Sequence, residues 1–176
     1  MARKKTLAET KPRVDVSGDE MHYTVQCADV RLISSALKPA IAEKGPGKSP
    51  HFAFRVRALV QGTKAYSYLE VHVNHRIPAA PAKVTSFELS FVLMGTFIAK
   101  QNMPSSDLAN FVKMYTVTVL WPYAREYATD QFRRAGSGDI ILPIINPQIV
   151  TEHIVEHNLV EVQILREGPG KKKLRD

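Results

Sequence analysis

Val119-Leu120-Trp121-Pro122-Tyr123-Ala124-Arg125-Glu126-Tyr127 is the stretch on which the fold turns. It lies inside a longer run whose period is helical. Pro104-Ser105-Ser106-Asp107 supplies a helix start, with hydroxyl side chains for an N-cap and early negative charge. Leu108, Phe111, Val112, Tyr115, Val119, Tyr123 and Tyr127 follow at three- or four-residue steps and define an apolar stripe. The helix is expected to run to about Arg134 and to stop at Gly136. Pro122 sits within it, removes a backbone donor, and is expected to kink it.

Moving outward, residues 140–150 are strongly apolar, but Pro143 and Pro147 bar both a helix and a central strand. An extended crossover is expected there, then a short helix around 148–158, with 159–165 either strand or more helix. Upstream of the helix, the pattern has a period of two. Phe52, Phe54, Val56, Ala58 and Val60 share one face, with Arg55 and Arg57 on the other. Ala65, Ser67, Leu69, Val71 and Val73 alternate with Tyr66, Tyr68, Glu70, His72 and Asn74. Phe87, Leu89, Phe91, Leu93 and Phe97 do the same over 84–98. Gly62 between the first two runs suits a hairpin, and short links imply an antiparallel sheet with one apolar face. Residues 22–33 alternate loosely and suit an edge strand. Residues 38–50 hold Pro39, Gly45, Pro46, Gly47 and Pro50 and are expected to form a loop.

The chain has 176 residues, 44% hydrophobic and 23% charged, which suits one globular domain. Residues 1–13 and 166–176 together carry the whole net charge of +7, so the stretch between them is neutral. The expected division is a flexible basic N-terminal tail at 1–20, a domain at 21–165 and a flexible basic tail at 166–176. A neutral domain lacks the basic surface that nucleic acid requires. No apolar run is long enough to cross a bilayer, and no apolar stretch follows the basic N-terminus as it would in a secretory signal. A single cysteine, Cys27, excludes an intrachain disulfide and paired-cysteine metal sites, and points to the cytoplasm.

Catalytic signals are weak. His153-Ile154-Val155-Glu156-His157 matches H-x-x-E-H, and two histidines four apart share a helix face that could chelate zinc. A peptidase of that kind takes a third ligand from well downstream, and only 19 residues follow His157. Cys27 lies in an alternating strand with no motif around it and reads as a small buried apolar residue rather than a nucleophile. Lys44-Gly45-Pro46-Gly47-Lys48 is glycine-rich, but its proline removes a donor that a phosphate loop needs. Phenylalanine alternating with arginine over 52–57 could suit a single-strand-binding sheet, yet a half-buried strand explains it equally. No enzyme, no metal and no cofactor are expected.

The helix stretch Leu120-Trp121-Pro122-Tyr123-Ala124-Arg125-Glu126 resembles the L-F-P-Y-A-R-E signature of SecB chaperones, with Trp121 at the second position. Ile141-Leu142-Pro143-Ile144-Ile145-Asn146-Pro147 is similar to that family's P-x-L-N-L-A-P crossover, though it diverges in detail. The strand runs, with Gly95-Thr96-Phe97, sit where the family's strands sit, and the resemblance covers about residues 22 to 158.

That resemblance implies an α+β fold: a four-stranded antiparallel sheet backed by a long kinked helix and a short C-terminal helix. It also implies a dimer of dimers, a homotetramer with helices between eight-stranded sheets. The function implied is holding unfolded client polypeptides in long apolar grooves without ATP or any other cofactor, with protein export as the first reading of its purpose. The client surface is expected at Phe52, Phe54, Phe87, Phe91, Ile144, Ile145, Ile149 and Val150, with the sheet as floor and the 140–147 crossover as one wall. The oligomer interface is expected at Leu108, Phe111, Val112, Tyr115 and Val119, and Trp121 and Tyr123 are expected to be buried structural residues. In the family, acidic positions on the sheet and a C-terminal tail dock the SecA motor. Here Leu32, Ala36, Ser90 and Val92 stand in that region, and the tail reads Gly168-Pro169-Gly170-Lys171-Lys172-Lys173. Some SecB-like proteins instead protect an antitoxin in a toxin–antitoxin system, which is the second reading. A basic-tailed nucleic-acid adaptor is the alternative from another class.

Overall fold

Gly62 and Thr63 form the two-residue turn from which the sheet is built. Gly62 has φ of 56°, in the left-handed region that favours glycine in such a hairpin. It joins β2 (Lys48–Gln61) to β3 (Lys64–Arg76), which pair antiparallel from Gln61↔Lys64 outward. β4 (Ser86–Ala99) pairs antiparallel with β3, and β1 (Val25–Ala40) pairs antiparallel with β4. The computed structural model describes residues 25–40, 48–76, 86–100, 102–136, 140–157 and 159–165. The expected tails at 1–20 and 166–176 and the loop residues 41–47 lie outside the described residues.

A fifth strand corrects the expected four. β5 (Val160–Leu165) lies parallel to β2, with Val56 opposite Val160, giving a mixed sheet in the order β1-β4-β3-β2-β5. A parallel neighbour requires a long crossover, and the helical segment between β4 and β5 supplies it. The expected loop at 38–50 is also shorter than it looked, since β1 runs through Pro39 and β2 begins at Lys48. Proline is tolerated there because β1 is the edge strand among the described residues, where one side of the backbone has no strand partner to donate to. Register breaks between Cys27 and Asp29, and between Leu32 and Ser34, insert Ala28 and Ile33 as bulges. They explain why the alternation of this segment reads loosely.

The long helix α1 (Ser105–Arg134) crosses one face of the sheet and runs without interruption through Pro122. Its N-cap position is Pro104, without a side-chain cap, which corrects the expected hydroxyl cap. The Ser105 hydroxyl donates instead to the Gly62 carbonyl at 3.2 Å and ties the helix start to the β2–β3 turn. Gly136, with φ of 72°, follows the last turn as expected.

The buried line of α1 is Leu108, Val112, Thr116, Leu120, Ala124, Ala128 and Phe132, every fourth residue, with Ala109, Val117 and Trp121 beside it. This differs from the aromatic-led stripe the sequence suggested. The small residues Ala124 and Ala128 let the helix approach the sheet, and Gly95 on β4 does the same from below. Leu120, Trp121 and Phe132 pack over Leu69, Val71, Leu89, Phe91 and Leu93, while Leu108 and Val112 pack with Val60, Ala65 and Phe97. Each such large side chain fully buried contributes roughly 1.5–3 kcal/mol. A second helix, α2 (Pro147–His157), packs against α1 and anchors through buried Ile154.

Candidate functional site

The signature stretch of α1 performs several tasks on successive faces of the helix. Trp121 is only 2% exposed and lies between Phe52 and Phe54 of β2, with ring centroids at 5.5 and 5.8 Å. Its indole Nε1–H donates to the Pro143 carbonyl at 2.9 Å. One turn later, Arg125 Nε–H donates to the Leu142 carbonyl at 2.8 Å. These two donors satisfy consecutive carbonyls of an extended segment that has no strand partner, and so fasten the 140–146 crossover along the helix. Ile140 and Leu142 are driven into the core, which turns Ile141 and Ile144 outward at 63% and 82% exposure.

Tyr123 and Tyr127 lie on another side of α1, toward the edge of the sheet. The helix-facing surface of β1 is left open there. Val30 and Leu32 on β1 and Leu93 on β4 face Pro122, Tyr123, Tyr127 and Ile141 across a groove of about 870 Å³. Tyr127 packs on Phe91 with centroids 4.9 Å apart. Arg125, Glu126, Asp130, Arg133 and Arg134 line the groove with charge of both signs, and Arg134 pairs with Asp130 at 2.8 Å. The groove thus has an apolar floor and polar margins, the arrangement expected of a surface that takes up extended apolar chain.

Several expected residues are placed elsewhere. Phe87 and Phe91 are buried under α1, so they support the floor rather than line it. Leu108 and Val112 are fully buried within the protomer and are closed to a partner chain, whereas Tyr115 is exposed and Phe111 and Val119 half-buried. Tyr123, expected to be buried, is 49% exposed. Phe52, Phe54, Ile145 and Val150 are half-buried against the core, and Ile149 is exposed. The sequence reading missed Val30, Leu32 and Ile141. The bulges hid which β1 residues face inward, and no motif marked them.

Cys27 of β1, expected to be buried, is exposed and does not line the groove. Partial desolvation raises the thiol of Cys27 above its ordinary value, aided by the Asp29 carboxylate and opposed by a hydrogen bond to the Asp29 carbonyl. A raised thiol is a weaker nucleophile at neutral pH. No helix among the described residues is long and apolar enough to cross a membrane.

Fold and groove together define an α+β protein that offers an open apolar surface beside a clamped, extended crossover. The family model for SecB, the preprotein translocase subunit, matches residues 27–155, and the chain belongs to the SecB family. No curated protein matches the sequence. Among solved structures, the chain is similar to a SecB-like chaperone of Mycobacterium tuberculosis, Rv1957, in complex with a ChAD peptide from the Rv1956 HigA1 antitoxin. Identity is 16% and the TM-score 0.53, over 70% of this chain and 91% of that one. At that identity the likeness concerns the fold.

Proposed function

We propose that this protein is an ATP-independent holdase that binds non-native polypeptides along the groove between β1 and α1 and along the crossover beside it. The observation that carries the reading is the apolar surface gathered there: Leu32 at 47% exposure, with Tyr123, Ile141 and Ile144. A protein that must accept many sequences cannot depend on particular side-chain hydrogen bonds. It uses what unfolded chains share, namely apolar side chains and unpaired backbone. Of the expected client contacts, Phe52, Phe54, Ile144, Ile145, Ile149 and Val150 keep that role in this proposal. Leu32, Tyr123, Tyr127 and Ile141 join them.

The working unit in this reading is a homo-oligomer, a tetramer built as a dimer of dimers. The outward face of α1 at Phe111, Tyr115 and Val119 supports one interface, and the outer edge of β1, unpaired among the described residues, supports the other. Two sheets joined at β1 would hold ten strands rather than eight, because β5 adds one to each.

The antitoxin reading is favoured by one observation: the similar mycobacterial chaperone is bound to an antitoxin peptide. Export through a SecA-type motor has less support here. On the face of the sheet away from α1, Arg55 pairs with Glu161 at 3.0 Å, and Glu70 with Arg57 at 3.9 Å, so charge there is largely neutralised. The test is suppression of aggregation of a chemically unfolded client, with and without an excess of an antitoxin-derived peptide. Suppression that the peptide abolishes supports the holdase and a shared groove. A chain that suppresses nothing but shifts RNA in a salt-sensitive manner would replace the reading with a nucleic-acid adaptor.

A further inference from the structure

The groove makes no use of the polar surface near the C-terminal end of α2. His153, Glu156 and His157 are all exposed there, and one ligand atom from each lies within 4.8 Å of the others. The two imidazole rings meet edge to face with centroids 4.3 Å apart. We propose that these three side chains form a surface chelate for a divalent late-transition-metal ion, zinc being the physiological member of the class, and that the ion staples the last turn of α2 ahead of β5.

The chemistry follows from spacing. Histidines four residues apart on a helix project side by side, so the helix itself brings two nitrogen ligands to one point, where zinc bonds nitrogen at about 2.0–2.1 Å. Glu156 lies three residues beyond His153 on the same face and supplies a carboxylate oxygen. A set of two imidazoles and one carboxylate suits Zn²⁺, Ni²⁺ and Cu²⁺. It discriminates against Mg²⁺ and Ca²⁺, which require shells of oxygen. All three side chains are exposed, so they can close on an ion at the cost of rotamer freedom alone. Water would complete the four-coordinate shell on the solvent side.

Placement gives the ion its effect. Ile154, 1% exposed, anchors α2 to the core and lies between the two histidines in the chain. The amide of Leu159 donates to the Ile154 carbonyl at 3.2 Å, and β5 begins at the next residue, Val160. An 11-residue helix is marginal by itself. An ion bridging its last turn therefore secures the connection that delivers β5 to the sheet edge.

The experiment titrates ZnCl₂ and NiCl₂ into the untagged full chain by calorimetry, with thermal melting and amide hydrogen exchange alongside. A single ion per protomer is expected, with a rise in Tm and slowed exchange concentrated in residues 150–159. His153→Ala and His157→Ala should each weaken zinc binding by roughly tenfold or more and remove the Tm rise. Glu156→Gln should weaken it less, and MgCl₂ should have no effect. His72→Ala, on the far face of the sheet, should bind zinc as the parent does. Circular dichroism without metal establishes that each variant is folded. Parent protein that binds no zinc at about 100 μM, or affinity unchanged in both histidine variants, overturns the proposal.

Discussion

The indole of Trp121 is hydrogen-bonded to the backbone carbonyl of Pro143 at 2.9 Å, so this side chain, together with Arg125, joins the helix to the crossover that borders the groove. Trp121→Phe keeps most of the ring between Phe52 and Phe54 but leaves that carbonyl without its donor. The expected cost is about 1–3 kcal/mol. Trp121→Ala also opens a cavity, and its cost is about 3–5 kcal/mol. Urea denaturation measures both. A fully stable Trp121→Ala variant that loses only client binding would make Trp121 a client contact instead.

Ile144 and Ile145 are neighbours with opposite roles. Ile144→Ser should change stability by less than about 0.5 kcal/mol, since the side chain is almost fully exposed, and should weaken aggregation suppression. Ile145 packs against the core, and Ile145→Ser should cost about 1–3 kcal/mol. Unimpaired suppression by Ile144→Ser would remove the crossover from the client surface.

Tyr115 is the exposed aromatic at the middle of the outward face of α1. Tyr115→Asp should lower the mass measured by light scattering at micromolar concentration while leaving the protomer folded. A parent chain that already scatters as a monomer would refute assembly through this face.

A Cβ on Gly95 would lie 2.9 Å from Leu120 Cδ2 and 3.0 Å from the Phe97 ring. Both neighbours are buried and tightly packed, so Gly95→Ala should destabilise by about 1–3 kcal/mol, read from the urea midpoint. An unchanged midpoint would show that α1 can lift from β4 at little cost.

Burial holds His75 below its ordinary protonation range, its Nδ1 is enclosed without a partner among the described residues, and its ring lies edge-on to Phe132 at 6.3 Å. The unfolded chain therefore takes up this proton more readily than the folded one. The contribution of His75 is complete above about pH 6.5, the unfolded value, and is lost as pH falls from there through the lower folded value. Denaturation midpoints should decline between pH 7 and pH 5, and His75→Gln should flatten that decline. An equal slope in the variant would assign it to other groups.

The sequence disclosed the parts of this fold that rest on simple periodicity. Gly62 marked the hairpin, the alternation of 64–76 and 84–98 marked two central strands, and Pro104 and Gly136 bracketed the helix. What escaped depended on distance in space. The face of α1 that meets the sheet is set by small residues, Ala124, Ala128 and Thr116, whose value lies in close approach and not in hydrophobicity. β5 has the composition of either strand or helix, and only the open edge of β2 decides between them. The groove depends on Leu32, whose inward turn follows from a bulge at Ala28 that alternation cannot reveal.

The two rims of the sheet are unlike. β1 offers 16 residues of backbone, while β5 offers six and carries the charged Glu161. Short, charged rims are poor templates for another strand. A face that joins to its own copy by a two-fold axis is used up in the joining, so association at β1 closes after two chains and cannot propagate. On the proposed function and assembly, a protein that handles aggregating chains would thereby be kept from becoming the seed of a fibre.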